Sequence, residues 1–479
     1  MMPHVWNTEI VTKSHLPLHS RHITARSRGP ALTIASMIAL AAALPAVVWL
    51  MGGHATDVSV AALWGAALLG VAVLLFGARY RELLGVALVG IGVLARPGLG
   101  GELFPFAALI LLVPMTLACA KEIRQLDRLH GVWLGLCFAA LLFPSVRAGS
   151  AVDIGIVNAV IGTWIGLIAV LVARRTASLN AFLISAQTVM WWQILAYLPL
   201  LGGAVLPRPL VGFDLPARPG WIYSASDLGS IVIGSGGVLP ELGPRLTGWF
   251  GEPGIYAGFA AVIGVLALAY RTRFSIVVQS AVITTLLFTQ SLAGLIAYAS
   301  GLAAWLITRR GAVSTLLGIA LAGGAVGVLL GAGPLSLANK QSQNQASISD
   351  RLEGVSVIDL FSAWMSSPLG APVASSDPLS EINLLRSSLA NGPLILLLWL
   401  AVYLIVPIIA GRRNTSVVAP AIALSVVVMF TQPPYFPLWI CLAGVAVGLA
   451  TSLDARRPPS ESERRGELQI TRGTARRRH

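Results

Sequence analysis

Arg245 and Glu252 stand seven residues apart in Arg245-Leu246-Thr247-Gly248-Trp249-Phe250-Gly251-Glu252-Pro253-Gly254, just before an apolar run opening with Ile255-Tyr256. A guanidinium offers a planar fork of N–H donors to phosphate oxygens and keeps its charge at a lipid–water boundary. A carboxylate within hydrogen-bond reach of a hydroxyl can take its proton. The same residue types recur later. Ser349-Asp350-Arg351 precedes Leu352, Val355, Ile358, Phe361 and Met365, which share one helical face. Ser349 or Asp350 can cap that helix, which runs through about Trp364, and its N–H groups beside Arg351 make an anion site. Glu381-Ile382-Asn383-Leu384-Leu385-Arg386 and Asn391-Gly392-Pro393 follow, the latter opening another apolar run. Blander readings stay open: Glu252-Pro253 is a normal helix start, and Arg351 can pair with Asp350 or Glu353 at a surface.

Elements long enough to hold these groups are of one kind. Of 479 residues, 56% are hydrophobic and 11% charged, against about 25% charged in a soluble domain. A mean hydropathy of +0.79 over this length exceeds what one buried core absorbs, which excludes a soluble enzyme. The apolar residues come in runs of membrane-spanning length, broken by arginine pairs. The reading is therefore an all-α, polytopic integral membrane protein of about 14 helices (12–14), near 31–51, 57–77, 83–95, 103–119, 131–145, 154–173, 178–206, 254–270, 274–289, 291–308, 312–333, 391–410, 416–431 and 435–451. Residues 1–30 form a basic cytoplasmic tail, 31–453 the transmembrane domain, and 454–479 an Arg-rich disordered tail. Cys119, Cys137 and Cys441 lie in apolar runs and form neither a disulfide framework nor a zinc motif.

Charge orients the chain. With the N-terminus cytoplasmic, 25 of the 33 basic residues fall inside, including Arg79, Arg81, Lys121, Arg174, Arg175, Arg309 and Arg310. Every interior turn then carries at least two, as the positive-inside rule requires. That places both termini in the cytoplasm and the protein in the plasma (inner) membrane. The net charge of +13 is spread over these turns, so it indicates lipid rather than nucleic acid as the partner. Two external loops, about 207–253 and 334–390, are long enough to be functional, and short amphipathic helices are expected in them.

These loops resemble the O-antigen ligase and polymerase (Wzy-type) superfamily. Arg245, Gly248, Phe250, Glu252 and Pro253 match its R-x-x-G-x-F-x-E-P motif. Ser349 and Arg351, then Pro368 and Gly370, match an S-x-R and P-x-x-G pair, and Glu381, Asn383 and Gly392 its polar stretch before a span. Thr289-Gln290-Ser291 resembles its tight polar turn, without the usual following Arg. The resemblance implies a GT-C-like fold and a metal-independent, inverting transfer, with no cofactor, of glycan from a polyprenyl-diphosphate donor. It implies Arg245 and Arg351, with Arg386 outside them, as the diphosphate clamp, and Glu381 and Glu252 as candidate bases. Asn383, Trp249 and Tyr256 are the candidates for acceptor and sugar. Phe213, Trp221, Tyr223 and Trp249 suit either sugar stacking or an interfacial belt. Ligases of this group use a His in the second loop; His4, His15, His19, His22, His54, His130 and His479 all lie elsewhere. A polymerase of O-antigen, capsule or exopolysaccharide is therefore expected, acting with the chain-length regulator and flippase of its pathway. The alternatives are a ligase-like transfer to another acceptor and a non-enzymatic lipid-linked oligosaccharide flippase.

Overall fold

A computed structural model describes residues 55–94, 104–148, 152–201, 211–214, 222–226, 229–233, 245–250, 252–270, 275–309, 311–331, 357–368, 370, 383–411, 417–430 and 433–455. Every apolar run expected from residue 57 onward is helical over its described residues; the first, 31–51, lies outside them, as do residues 1–54 and 456–479 as a whole. The helices are α1 (Ala55–Phe76), α2 (Glu82–Leu94), α3 (Phe104–Ala118), the short α4 (Ala120–Ile123), α5 (Arg128–Ala148), α6 (Val152–Ala173) and α7 (Thr176–Leu201). After the strands described below come α8 (Pro253–Tyr270), α9 (Ser275–Thr289), α10 (Leu292–Ile307), α11 (Ala312–Leu330), α12 (Val357–Ser366), α13 (Leu384–Asn391) and α14 (Pro393–Leu400). A π-turn over Ala401–Ile405 leads into α15 (Val406–Ala410), followed by α16 (Val418–Phe430) and α17 (Pro437–Ala455). Among the described residues five segments are long and apolar enough to cross a membrane: Arg128–Val146, Gly155–Ala173, Pro253–Tyr270, Ala312–Leu330 and Pro393–Ala410. The chain is a helical protein of membrane-spanning character.

Its packing is that of helices in lipid. Trp64, Leu68 and Leu75 of α1 and Val313, Leu316 and Leu330 of α11 are exposed, which hydrocarbon tolerates and water does not. Inside, small residues let backbones touch. A Cβ on Gly448 of α17 would stand 2.4 Å from the Val170 carbonyl oxygen of α6, and one on Gly444 2.7 Å from that of Gly166. At the π-turn, Pro407 lacks the N–H that an i→i−5 pattern would direct at the Val402 carbonyl. The buried Trp133 of α5 donates its Nε1–H to that oxygen at 2.9 Å instead. Trp133→Phe keeps most of the ring volume and removes the donor. It should destabilise by about 1–3 kcal/mol, the cost of an unmatched buried carbonyl, measured as lower thermal stability in detergent.

The first long loop departs from expectation, because it holds a sheet rather than a short helix. Strands β1 (Val211–Asp214), β2 (Ile222–Ser226), β3 (Gly229–Ile233) and β4 (Arg245–Leu246) pair antiparallel in that order. Ile222-Tyr223-Ser224-Ala225 and Ser230-Ile231-Val232-Ile233 are rich in β-branched and aromatic residues and too short for a helix with a continuous apolar face. In the second loop the later part of the expected amphipathic helix is present as α12, while its expected start and cap, 349–356, lie outside the described residues. Its Ile358, Phe361 and Met365 are exposed together, while Leu360 is buried and the indole N–H of Trp364 reaches the Ser388 carbonyl of α13 at 3.3 Å.

Candidate functional site

The two ends of α7 define two unlike chemical regions. At its start, Ser178 donates to the Arg81 carbonyl at 2.8 Å, and Arg81 donates to the Ala118 carbonyl at 2.6 Å. Glu122 pairs with both Arg81, at 3.6 Å, and Arg175. Burial, and then the neighbouring Arg81, draw the Arg175 guanidinium below its ordinary pKa. Three basic turns distant in sequence, at 79–81, 121–124 and 174–175, thus meet at one end of the bundle, as their shared side in the charge pattern requires.

Gln193 lies fifteen residues further along α7, roughly 22 Å at 1.5 Å per residue. Here the 245–256 motif docks. Arg245 is buried, and its Nε donates to the Thr289 carbonyl at 3.0 Å, at the turn joining α9 to α10. That turn is tight: Gln290 takes φ 49°, rare for a residue with a side chain, and Ser291 caps α10 by accepting from the Gly294 N–H. Gly248, in a 3-10 turn over Gly248–Phe250, has φ 56°. A Cβ there would stand 3.1 Å from both Gln193 Oε1 and Tyr256 Cε1, so the positive φ favours glycine and the tight contacts add to that preference. Phe250 stacks on Tyr256 with centroids 5.0 Å apart, and the Tyr256 hydroxyl donates to the Met190 carbonyl of α7 at 3.3 Å.

The residues from the second loop arrive at this same end. Gly294 of α10 lies against Ala257 of α8, and Gly258 of α8 against Val427 near the C-terminus of α16. Asn383 caps α13, accepting from the Arg386 N–H at 2.9 Å through Oδ1, while its Nδ2 donates to Phe430, the last residue of α16, at 3.4 Å. Arg386 is half-buried in the first turn of α13.

The candidates therefore divide. Arg245, Glu252, Tyr256, Asn383 and Arg386 are brought to one end of the bundle. Glu252 is half-buried, and its carbonyl accepts the Tyr256 N–H at 3.2 Å, the first bond of α8, as a helix start requires. Tyr256 is fully buried, so its ring packs the motif against α7 rather than facing a sugar, and the Asn383 amide is engaged in capping. Trp249 is in the 3-10 turn, its side chain outside the description. Glu381, Arg351, Ser349 and Trp221 lie outside the described residues, as does residue 350. Cross-strand register puts Phe213, Tyr223, Val232 and Arg245 in a single row across the sheet. At about 4.8 Å per strand, that row is roughly 14 Å long.

One residue here did not stand out in the sequence. Gln193 is fully buried, yet both Nε2 and Oε1 lack a hydrogen-bond partner, the only buried amide among the described residues with both ends unmatched. Each such group costs about 1–3 kcal/mol. The available signal was weak, because its helix also carries Ser185, Gln187 and Thr188. Among the described residues no cluster of His, Cys, Asp or Glu could hold a metal ion. No protein-family model matches this chain, and no curated protein sequence matches it. The class rests on the helices and the site on its own chemistry.

Proposed function

We propose that this chain is a polymerase of a bacterial cell-surface polysaccharide, moving glycan from a polyprenyl-diphosphate donor to a lipid-linked acceptor at the outer face of the plasma membrane. The observation that carries this reading is Arg245: a buried guanidinium, anchored at Nε, at the same end of an apolar helix bundle as the Asn383 cap of α13. Such a cation suits an anionic headgroup whose hydrocarbon tail runs along the helices. In the transfer, the bond from the sugar anomeric carbon to the diphosphate oxygen breaks while a new bond to the acceptor hydroxyl oxygen forms. The departing diphosphate gains negative charge, which Arg245, Arg351 and Arg386 stabilise as preorganised cations. The acceptor proton passes to a carboxylate, Glu381 or Glu252.

Cells lacking this protein should lose long-chain polymer and accumulate lipid-linked single repeat units on the outer leaflet. Accumulation on the cytoplasmic leaflet would indicate a flippase, and intact lipid-linked polymer that never reaches its final acceptor would indicate a ligase. Orientation is checked separately. Reporter fusions after Arg175, after Arg310 and in the C-terminal tail should read cytoplasmic, and fusions near residues 225 and 345 external. A cytoplasmic reading at 345 would place the second loop on the wrong side of the membrane for this chemistry.

A further inference from the structure

The other end of α7, where the basic turns meet, carries an unbalanced charge. Residues 79–82, 121–128 and 174–175 hold seven basic side chains against three acidic ones. Each acid already has a duty. Glu82 opens α2, where the helix dipole favours it. Asp127 lies with Oδ1 2.6 Å from Nδ1 of His130. Glu122 is shared, its Oε1 serving both Arg81 and Arg175. Those two arginine side chains are only 21% and 29% exposed, so water screens their excess charge poorly. The lowered pKa of Arg175, from burial first and then repulsion by Arg81, reflects the same excess. Arg79, Lys121 and Arg124 are exposed, and each stands within two residues of a member of this knot.

Apolar surface borders the charge. Phe76 at the end of α1 and Leu117 near the end of α3 are exposed, and Ala118, next to Leu117, supplies the carbonyl that holds Arg81. Arg79 lies over the half-open Tyr80 ring, 5.5 Å from its centroid. The two helices touch further back, where a Cβ on Gly70 would stand 2.6 Å from the Ile110 carbonyl oxygen. From that contact α1 runs six residues to Phe76 and α3 seven to Leu117, so both exposed ends reach the basic turns about 9–10 Å on. We propose that this end of the bundle binds an anionic phospholipid of the surrounding membrane, its phosphate held by Arg79 and Lys121 over the Arg81–Glu122–Arg175 knot and its acyl chains lying along the ends of α1 and α3. A soluble anion would match the charge and leave the apolar border unused. A zwitterionic lipid would match the border but bring a further cation to a cationic cluster. A phosphodiester carrying acyl chains and no cation of its own matches both. The inference is independent of the polymerase reading and needs only that the helices stand in a membrane.

The test uses the full chain in a neutral detergent, titrated with phosphatidylglycerol or with phosphatidylcholine of the same acyl chains, and native mass spectrometry to count retained lipid. Wild type should hold phosphatidylglycerol about tenfold or more tighter than phosphatidylcholine. Arg79→Gln combined with Lys121→Gln removes two exposed charges and leaves the knot in place. It should cut phosphatidylglycerol affinity about thirtyfold, the worth of two cations at an anionic surface, and leave phosphatidylcholine binding as it was. Arg309→Gln combined with Arg310→Gln removes the same charge from another basic turn and should leave both affinities unchanged. An equal loss from the 309–310 pair overturns the proposal, because it would show diffuse attraction to a cationic protein. A wild type that does not distinguish the two lipids overturns it too. So does displacement of bound phosphatidylglycerol by millimolar glycerol phosphate, which would assign the cluster to a soluble anion.

Discussion

Arg245→Ala is expected to abolish long-chain polymer while lipid-linked single repeat units persist. A preorganised donor to developing charge is worth about 10²–10³ in turnover, and a processive product amplifies that loss because each added unit needs another transfer. Arg351→Ala, in the second long loop, should act the same way if the two cations grip one diphosphate. At position 245 a structural cost must be separated from a chemical one, since the Nε–H donates to the buried Thr289 carbonyl. Alanine leaves that carbonyl without this donor, at about 1–3 kcal/mol, so protein level and melting temperature in detergent have to be followed alongside polymer length. Arg245→Lys resolves the ambiguity. An ammonium can supply a donor to Thr289 and keep the fold, but it cannot also present the planar fork that a phosphate takes. The expected outcome is a lysine variant with near-normal stability and poor polymer. Full polymer from lysine at both 245 and 351 would reduce these arginines to general cationic features of their loops.

The helices were legible because lipid imposes a simple grammar: every run of apolar residues must satisfy its backbone internally, and a helix is the way one segment does so. The turns at 79–81, 121–124 and 174–175 were legible for a related reason, since their arginines mark a single side, and the contacts of Glu122 gather them there. The sheet was hidden because its strands are two to five residues long and lie in a loop that no membrane rule governs. At the site, residue types were easier to recognise than their duties. Arg245 and Thr289 are 44 residues apart, and nothing local to either indicates that one holds the other. Asn383 looked like a ligand for a hydroxyl, but Asn is also among the best helix caps, and the Arg386 N–H and Phe430 carbonyl claim its amide. Tyr256 is a sugar candidate only through the resemblance. Its burial follows from helical geometry instead, because position 256 faces α7, where Met190 and Gln193 lie.

The second large effect is expected at the base, where Glu381→Gln should stop turnover without disturbing the protein or its grip on the lipid. A positioned carboxylate contributes about 10²–10⁴-fold to a proton transfer, so polymer should vanish while lipid-diphosphate binding and thermal stability stay at wild-type values. Glu252 makes a different prediction because its surroundings assign it a structural duty. Its carbonyl accepts the first hydrogen bond of α8, Pro253 follows it, and its carboxylate sits at the positive end of that helix. An acid there is worth about 0.3–1 kcal/mol of stability, and its neighbour Pro253 begins a helix that is buried along nearly its whole length. Glu252→Gln should therefore lower the melting temperature or weaken substrate binding, with turnover falling in proportion. Glu381 is free of that conflict in the sequence, where it stands two residues before Asn383, the cap of α13. The measurement is polymer length and single-turnover rate for both variants, alongside lipid affinity and melting temperature. Near-wild-type polymer from Glu381→Gln would take it out of the reaction. Glu252 would then have to serve as the base from the first turn of a helix, where the dipole favours its ionised form and weakens it as a proton acceptor.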